Sequence, residues 1–255
     1  MSDEVRLNGQ VAIISGAARG IGAAAARLFV ERGARVVIAD VLEEQGRELV
    51  TELGPKCAVF SPLDVCSQTE WADAVRSSKE TFGPPTILVA NAGVMAVGPV
   101  EVATAAQFRQ VFEVNVIGVF LGMQAVLEPM KAAGGGSIVV LSSSAGLEGT
   151  PGLPAYAASK AANASLTKTA AMELGAYGIR VNAVAPGGID TAMSNAPEFA
   201  GMDREAWYGK LPIARIGEAE EIARVLLFLA SSESSYMTGS VVAVDGGQLA
   251  GHRAL

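Results

Sequence analysis

A tyrosine and a lysine four positions apart are the residues of this chain best suited to proton transfer. Tyr156 and Lys160 stand in the sequence Tyr-Ala-Ala-Ser-Lys, and residues at this spacing share one face of a helix. Because a nearby ammonium favours the phenolate, we expect the pKa of Tyr156 to fall well below its usual value of about 10. The pair would then act as a general base in alcohol oxidation, or as an acid in carbonyl reduction.

Many helices carry a tyrosine and a lysine at this spacing by chance, so the neighbouring sequence must show whether the pair is catalytic. Ser143 stands 13 residues before Tyr156, at the end of a predicted strand, and a glycine-rich turn lies near the amino terminus. Ligands of open α/β sheets bind beyond the carboxyl ends of the strands. These neighbours favour a catalytic role for the pair.

The glycine-rich turn predicts a site for a dinucleotide. Residues 15–22 read Ser-Gly-Ala-Ala-Arg-Gly-Ile-Gly, between the first predicted strand and the first predicted helix. Gly16 permits a tight exit from the strand, Gly20 lets backbone N–H groups approach a pyrophosphate, and Gly22 allows close packing of the helix. A flexible loop is the alternative, but the position between strand and helix favours phosphate binding. The predicted contacts in this turn are Gly16, Arg19, Gly20, Ile21 and Gly22.

Asp40 ends the second predicted strand, 18 residues after Gly22. This is close to the ~20-residue offset at which a carboxylate accepts a hydrogen bond from the adenosine ribose. A carboxylate there repels a 2′-phosphate and predicts NAD(H) rather than NADP(H). Arg19 argues for the phosphate, but Val41 adds no further positive charge, so Asp40 is the stronger determinant.

Two further strand ends carry predicted coenzyme contacts. Asp64 and Val65 follow the third strand, where Asp64 would either hydrogen-bond the adenine edge or cap a loop. The small residues Asn91, Ala92 and Gly93 follow the fourth strand and would let a coenzyme lie flat against the chain.

Short β-branched runs alternate with longer helical stretches along the chain, which predicts an α/β fold. The strands are predicted at 11–15, 34–39, 57–60, 87–90, 137–142, 179–185 and 241–244, and the helices at 21–32, 42–53, 68–82, 105–131, 155–177 and 219–230. The strands are continuously apolar, as in a parallel sheet buried on both faces. We predict one Rossmann-like domain over 1–255, a doubly wound parallel seven-stranded sheet with helices on both faces. The apolar segment at about 190–216 would be a substrate lid or a helical excursion that packs on the core.

Composition excludes several classes of function. Nineteen basic and 26 acidic residues give a net charge of -7, which argues against a nucleic-acid partner. We predict that no apolar run reaches the ~18 residues of a membrane span and that the amino terminus carries no secretion signal. Two cysteines indicate a reducing compartment, so we expect a cytoplasmic protein. The single histidine, His252, argues against a histidine-based triad and a histidine-rich metal site, and we expect no bound metal.

With these motifs in this order, the chain resembles the short-chain dehydrogenase/reductase family from Gly16 to the Asp-Gly-Gly at 245–247. The resemblance implies that Tyr156 exchanges a proton with the substrate oxygen, which Ser143 hydrogen-bonds. It also implies that Lys160 binds the nicotinamide ribose and lowers the pKa of Tyr156, and that Asn115 anchors a water of a proton relay. The residues implied around the nicotinamide are Pro186, Gly187, Ile189 and Thr191. One departure is Ala90, where the family usually has asparagine.

The resemblance implies an NAD-dependent oxidoreductase of secondary alcohols and ketones, and the chain is most similar to bacterial 3α(20β)-hydroxysteroid dehydrogenases. A hydrophobic alcohol or ketone is the expected substrate. An NADPH-dependent 3-oxoacyl-[acyl-carrier-protein] reductase is the second hypothesis, and a non-catalytic NAD(H) sensor is the third. The helices at 105–131 and 155–177 carry apolar or small residues on more faces than one sheet contact covers, which predicts association between copies of the chain, and the resemblance implies a homotetramer. The examples are Val111, Phe112, Phe120, Ala161, Ala164 and Ala171.

Overall fold

Seven parallel strands form the centre of the protein in the computed structural model, which describes residues 5–201 and 203–251 apart from the side chain of Arg204. The strands are β1 (Val11–Ser15), β2 (Arg35–Asp40), β3 (Ala58–Pro62), β4 (Ile87–Ala90), β5 (Gly136–Leu141), β6 (Ile179–Pro186) and β7 (Val241–Val244). Their order in the sheet is β3-β2-β1-β4-β5-β6-β7. The predicted seven-stranded parallel sheet is confirmed, although the strands predicted at 34–39, 57–60, 137–142 and 179–185 start or end one or two residues away.

Helices cover both faces of the sheet, as predicted. They are α1 (Gly20–Glu31), α2 (Glu43–Leu53), α3 (Gln68–Thr81), α4 (Ala105–Phe112), α5 (Gly118–Ala132), α6 (Pro154–Leu174), α7 (Arg204–Tyr208) and α8 (Ala219–Ala230). Phe29 of α1 and Leu226 of α8 belong to the core on one face, and Trp71 of α3 and Met123 of α5 to the core on the other. The order reverses between β1 and β4, so a crevice opens there at the carboxyl ends of the strands.

The helix predicted at 105–131 is not continuous. A π-helical turn, Glu113–Ile117, separates α4 from α5. Asn115 lies at the centre of this turn and is fully buried. Single π-turns inside helices occur often at functional sites. The apolar periodicity of the sequence continues through the turn and therefore did not reveal it.

The combined stretch Ala105–Ala132 corrects the prediction that no apolar run is long enough to span a membrane. It has 28 residues and a mean hydropathy of 1.5, which suffice for a span by length and composition alone. Core helices of soluble proteins pass the same test, so one such helix is weak evidence. The contacts of this stretch are with protein, since α5 packs against α3 and the π-turn against α6.

The segment predicted at about 190–216 forms a 3-10 turn (Pro197–Phe199) and the short helix α7. Most of it is exposed, whereas Leu211 near its end is buried. Met202 and His252 lie outside the described residues, as does the end of the chain after Gly251.

Candidate active site

A cleft of about 690 Å³ opens at the carboxyl ends of the strands. It brings together the side chains that follow β1, β2, β3, β4, β5 and β6. Every predicted site residue lines the cleft except Gly22 and Asn115, and these two pack directly behind it. The lining residues that were predicted are Gly16, Arg19, Gly20, Ile21, Asp40, Asp64, Val65, Asn91, Ala92, Gly93, Ser143, Tyr156, Lys160, Pro186, Gly187, Ile189 and Thr191.

The turn between β1 and α1 fits a pyrophosphate. Gly16 and Gly20 have φ values of +64° and +58°, in the left-handed region that favours glycine. A Cβ on Gly16 would lie 2.8 Å from the Cα of Ala92, and a Cβ on Gly22 would lie 2.3 Å from the carbonyl oxygen of Gly16. None of the side chains that the structure describes caps the amino terminus of α1, and the first turn of this helix holds no acidic residue. Its free N–H groups and positive dipole end are therefore available to an anion.

Asp40 is held rigidly at the same end of the cleft. Its carboxylate accepts hydrogen bonds from the backbone N–H of Ala18 (2.9 Å) and of Leu42 (3.0 Å), and the residue is buried. Each oxygen keeps a lone pair for a further donor. Arg19 lies nearby in the turn and is exposed.

Asp64 accepts a hydrogen bond from the N–H of Cys66 (3.0 Å), so its capping role is present in the structure. Asp64 is exposed and lines the cleft, and the buried Val65 lines it too. An adenine contact of Asp64 stays a prediction.

Asn91, directly after Ala90, joins the ends of two neighbouring strands. Its Nδ2 donates to the carbonyl oxygens of Ser15 and Gly16, each at 2.9 Å. The Ser15 hydroxyl accepts from the N–H groups of Asn91 (3.1 Å) and Ala92 (3.2 Å). The ends of β1 and β4 are thus cross-linked beneath the cleft.

Lys160, Tyr156 and Ser143 meet at the other end of the cleft. The Nζ of Lys160 lies 5.6 Å from the centre of the Tyr156 ring and donates to the carbonyl oxygen of Leu141 (2.7 Å). The hydroxyl of Ser143 hydrogen-bonds the phenol of Tyr156 and lies 3.5 Å from the carbonyl oxygen of Pro186. The Ser142 hydroxyl donates to the carbonyl oxygen of Lys160 (2.8 Å) and holds α6 against the end of β5.

The predicted fall in the pKa of Tyr156 is wrong for the protein without coenzyme. Desolvation raises the pKa of the phenol, and the hydrogen bond from Ser143 only partly opposes this. The ammonium of Lys160 is turned toward the Leu141 carbonyl and does not reach the phenol oxygen. Burial also lowers the pKa of Lys160 from 10.5 to about 8.

This lowered pKa predicts how stability depends on pH. Between pH 8 and 10.5 the unfolded chain binds more protons at Lys160 than the folded protein, so the stability of the coenzyme-free protein rises with pH in that window. Lys160→Met should remove this rise and increase the free energy of unfolding at pH 7 by roughly 1–3 kcal/mol. Urea unfolding at pH 7 and 9.5 measures both effects. Lys168→Met, at an exposed position of the same helix, is the control and should change neither; equal pH dependence in wild type and Lys160→Met would contradict the assignment.

Known proteins resemble this chain over nearly its whole length. A family model described as Enoyl-(Acyl carrier protein) reductase matches residues 16–248. A trans-4-hydroxycyclohexanecarboxylate dehydrogenase of Sinomonas cyclohexanicum is 46% identical over 97% of this chain and 95% of that protein. The 3-alpha-(or 20-beta)-hydroxysteroid dehydrogenase of Mycobacterium tuberculosis is 42% identical over 96% and 92%.

A solved structure agrees with these relatives. The gluconate 5-dehydrogenase of Burkholderia cenocepacia, in complex with NADP and tartrate, superposes with a TM-score of 0.91 at 32% identity, over 98% of each chain. The chain belongs to the short-chain dehydrogenase/reductase family. It is an oxidoreductase that interconverts alcohols and ketones with a nicotinamide coenzyme.

Asn115 of this dehydrogenase/reductase contributes to the site from behind. Its Oδ1 accepts from the N–H of Val94 (2.8 Å), and its Nδ2 donates to the carbonyl oxygen of Val94 (2.9 Å) and to the hydroxyl of Ser159 (3.0 Å). The side chain therefore ties the π-turn to the loop after β4 and to α6. Its role in a water relay stays a prediction.

Sequence reasoning missed three contributors to the dehydrogenase site. Ser159, inside the Tyr-Ala-Ala-Ser-Lys motif, donates to the carbonyl oxygen of Tyr156 (2.7 Å). Gly188 makes room for Tyr208, whose ring would lie 2.2 Å from a Cβ at that position. Gln248 lines the cleft and hydrogen-bonds Glu148. The motif was a signal for Ser159, whereas no local pattern pointed to the other two.

The segment after β6 forms one wall of the cleft. Met193, Phe199, Trp207 and Tyr208 line it, and Trp207 is half-exposed. Together with Met95, Val97 and Leu153 these residues make this part of the lining largely apolar.

Proposed function

We propose that this protein is an NAD(H)-dependent dehydrogenase of uncharged, apolar secondary alcohols. The observation that carries the proposal is the joint placement of Asp40 and of the Ser143–Tyr156–Lys160 cluster in one cleft. Asp40 ends β2 on one side of the crevice, and the cluster follows β5 on the other. A dinucleotide bound along the carboxyl ends of the strands would extend between them.

The residues that would hold the coenzyme follow the strand ends in order. The turn from Gly16 to Gly22 would bind the pyrophosphate, and Asp40 would accept from the adenosine ribose. Gly93 leaves space beside Lys160, because a Cβ there would lie 3.5 Å from the lysine Nζ. Lys160 would donate to the nicotinamide ribose through that space, while Pro186, Gly187, Ile189 and Thr191 would surround the ring.

Tyr156 would act as the general base in oxidation. Its phenolate oxygen would take the proton of the substrate alcohol and become the neutral phenol, and Ser143 would donate a hydrogen bond to the same substrate oxygen as negative charge develops. When bound, nicotinamide supplies the acceptor for the hydride that leaves the carbinol carbon. Ketone reduction runs the same steps in reverse, with Tyr156 as the acid.

The charge of the lining favours a neutral substrate. Among the lining residues whose side chains the structure describes, the charged ones are Arg19, Asp40, Asp64 and Lys160. The first three follow β1, β2 and β3, and Lys160 lies beside Tyr156. The apolar wall from 193 to 208 offers a substrate no such charge. We therefore interpret the segment at 190–216 as the substrate lid of a single domain, and a hydroxysteroid is one substrate that such a wall would accept.

Initial rates with a small substrate panel test the proposal. With NAD⁺, cyclohexanol and a 20β-hydroxysteroid should be oxidised at least ~10-fold more efficiently than trans-4-hydroxycyclohexanecarboxylate, because a buried carboxylate without a partner is costly. A preference for the carboxylate would contradict the neutral-substrate proposal. If the enzyme oxidised small alcohols but no steroid, the hydroxysteroid would be excluded as a substrate and the proposal of a neutral secondary alcohol would stand.

A 3-oxoacyl-[acyl-carrier-protein] reductase is the second candidate, and two observations favour it: such a reductase of Thermotoga maritima is 42% identical to this chain, and Arg19 is exposed. It would prefer NADPH and a 3-oxoacyl thioester. The carboxylate of Asp40 argues against a coenzyme with a 2′-phosphate. The net charge of -7 argues against binding of an acidic carrier protein. A strong preference for NADPH would reverse the ranking. The intact Ser143–Tyr156–Lys160 cluster argues against the third hypothesis, a non-catalytic NAD(H) sensor, because a sensor needs no proton-transfer group.

A homotetramer remains our proposal for the assembly, and the structure changes which residues would support it. Val111, Ala164 and Ala171 are buried within the chain and offer no surface. Phe108, Ile117 and Phe120 are exposed along α4, the π-turn and α5. Burying these side chains would favour association. Light scattering should give four times the chain mass, and a monomer at micromolar concentration would contradict the proposal.

A further inference from the structure

A second buried amide lies behind the catalytic cluster. Asn163 is on α6, one helical turn after Lys160, and is fully buried. Its Nδ2 donates to the backbone carbonyl oxygen of Asn115 (2.9 Å). This contact decides the orientation of the amide, because the opposite orientation would place Oδ1 against another acceptor.

The Oδ1 of Asn163 then points into the protein without a hydrogen-bond partner among the described residues. An unmet buried acceptor is destabilising, and buried polar atoms of this kind are commonly satisfied by an internal water. An apolar residue would fill the position without this cost. The presence of the amide therefore calls for a reason beyond packing.

A chain of hydrogen bonds connects this amide to Tyr156. Asn163 binds the backbone of Asn115, the Asn115 side chain donates to the hydroxyl of Ser159 (3.0 Å), and that hydroxyl donates to the carbonyl oxygen of Tyr156 (2.7 Å). The π-turn is thus joined to α6 at Ser159 and again one turn later at Asn163. Such a double attachment fixes the helix that presents Tyr156 and Lys160 to the cleft.

We propose that Asn163 is a positioning residue for Tyr156, and that its Oδ1 binds an internal water between α6 and the π-turn. Removal of the amide would free the carbonyl of Asn115 and let the π-turn shift against α6. Because the inference concerns catalysis through Tyr156, it rests on the proposed function. The water is a separate structural consequence that needs no turnover.

Asn163→Leu removes both the donor and the acceptor at similar volume. It should lower kcat about 10- to 100-fold, since small displacements of a catalytic group cost this much, and leave the KM values for coenzyme and alcohol within about twofold. Asn163→Asp, assayed at pH 6 with its buried carboxyl protonated, keeps a donor and an acceptor in the same places. It should restore kcat to within about threefold of wild type.

Thr167→Val is the matched control. Thr167 is equally buried on the same helix and donates to the carbonyl oxygen of Asn163 (2.8 Å), but it does not touch the π-turn in this network. It should keep kcat within about twofold. Equal losses in Thr167→Val and Asn163→Leu, or no rescue by Asn163→Asp, would reduce Asn163 to a structural role and overturn the proposal.

A high-resolution crystal structure provides the readout that does not depend on activity. The wild type should show a water about 2.7–3.2 Å from Asn163 Oδ1, which is absent from Asn163→Leu. An empty position in the wild type would overturn the water site. A wild type that oxidises no alcohol would instead contradict the proposed function, while the water could still be observed.

Discussion

Replacing Tyr156 by phenylalanine is expected to lower kcat for alcohol oxidation by about 10³- to 10⁴-fold. The substitution removes one oxygen from the cleft and leaves the ring in place. It takes away the group that would accept the substrate proton and also the hydrogen-bond partner of Ser143. NADH formation followed at 340 nm measures the loss.

Binding of coenzyme should survive in this variant. Asp40 ends β2 and the glycine turn follows β1, so neither lies on α6 with Tyr156 and both are untouched by the change. The dissociation constant for NADH, from fluorescence titration, should stay within about threefold of wild type. Tyr177→Phe, at a half-exposed position outside the cleft lining, is the control and should keep full activity. Substantial activity in Tyr156→Phe would show that another group moves the proton.

Asp40→Ser is expected to change the coenzyme preference by a factor of about 100 or more. NAD loses a charge-assisted hydrogen bond to its ribose, worth roughly 1.5–3 kcal/mol, and NADP loses the repulsion between two negative groups. With the carboxylate at position 40 removed, the exposed Arg19 in the neighbouring turn would attract the 2′-phosphate. The ratio of kcat/KM for NAD to that for NADP measures the change.

This ratio is internal to one variant, so the loss of the two backbone hydrogen bonds of Asp40 affects both coenzymes alike. Asp64→Asn is the matched control, because Asp64 is an acidic residue of the same cleft whose contact to the N–H of Cys66 the amide can keep. It should leave the ratio within about threefold of wild type. An unchanged ratio in Asp40→Ser would mean that another residue selects the coenzyme.

The parts of the site that sequence could predict are those with a local physical signature. Gly16 and Gly20 are needed for positive φ, and the register of β2 brings Asp40 to the end of its strand beside β1. The i, i+4 spacing of Tyr156 and Lys160 puts both on the cleft side of α6. Each of these depends on one element and its immediate neighbours.

The missed parts depend on contacts between distant segments. The π-turn at Asn115 follows from hydrogen bonds to Val94 and Asn163, which lie 21 and 48 residues away. The pKa of Tyr156 rises because of burial, and helical spacing cannot show that Lys160 turns to the carbonyl of Leu141. The packing of Tyr208 on Gly188 likewise has no local pattern.

The proton-transfer role requires the pKa of Tyr156 to fall when coenzyme binds. Burial holds it above 10 in the free protein. The positive charge of oxidised nicotinamide, with the ammonium of Lys160 released from Leu141 to the ribose, would favour the phenolate. The coenzyme complex would then supply the electrostatic effect that the free protein lacks.

A titration of tyrosine labelled with ¹³C at Cζ tests this most directly. The chain has four tyrosines, and Tyr156→Phe assigns the relevant signal. We predict a pKa above 10 for Tyr156 without coenzyme, and a value below 10 with NAD⁺ that agrees with the pKa seen in the pH dependence of kcat. A Tyr156 signal that still titrates above 10 in the NAD⁺ complex, while kcat depends on a group with a lower pKa, would contradict the role of this phenol as the base.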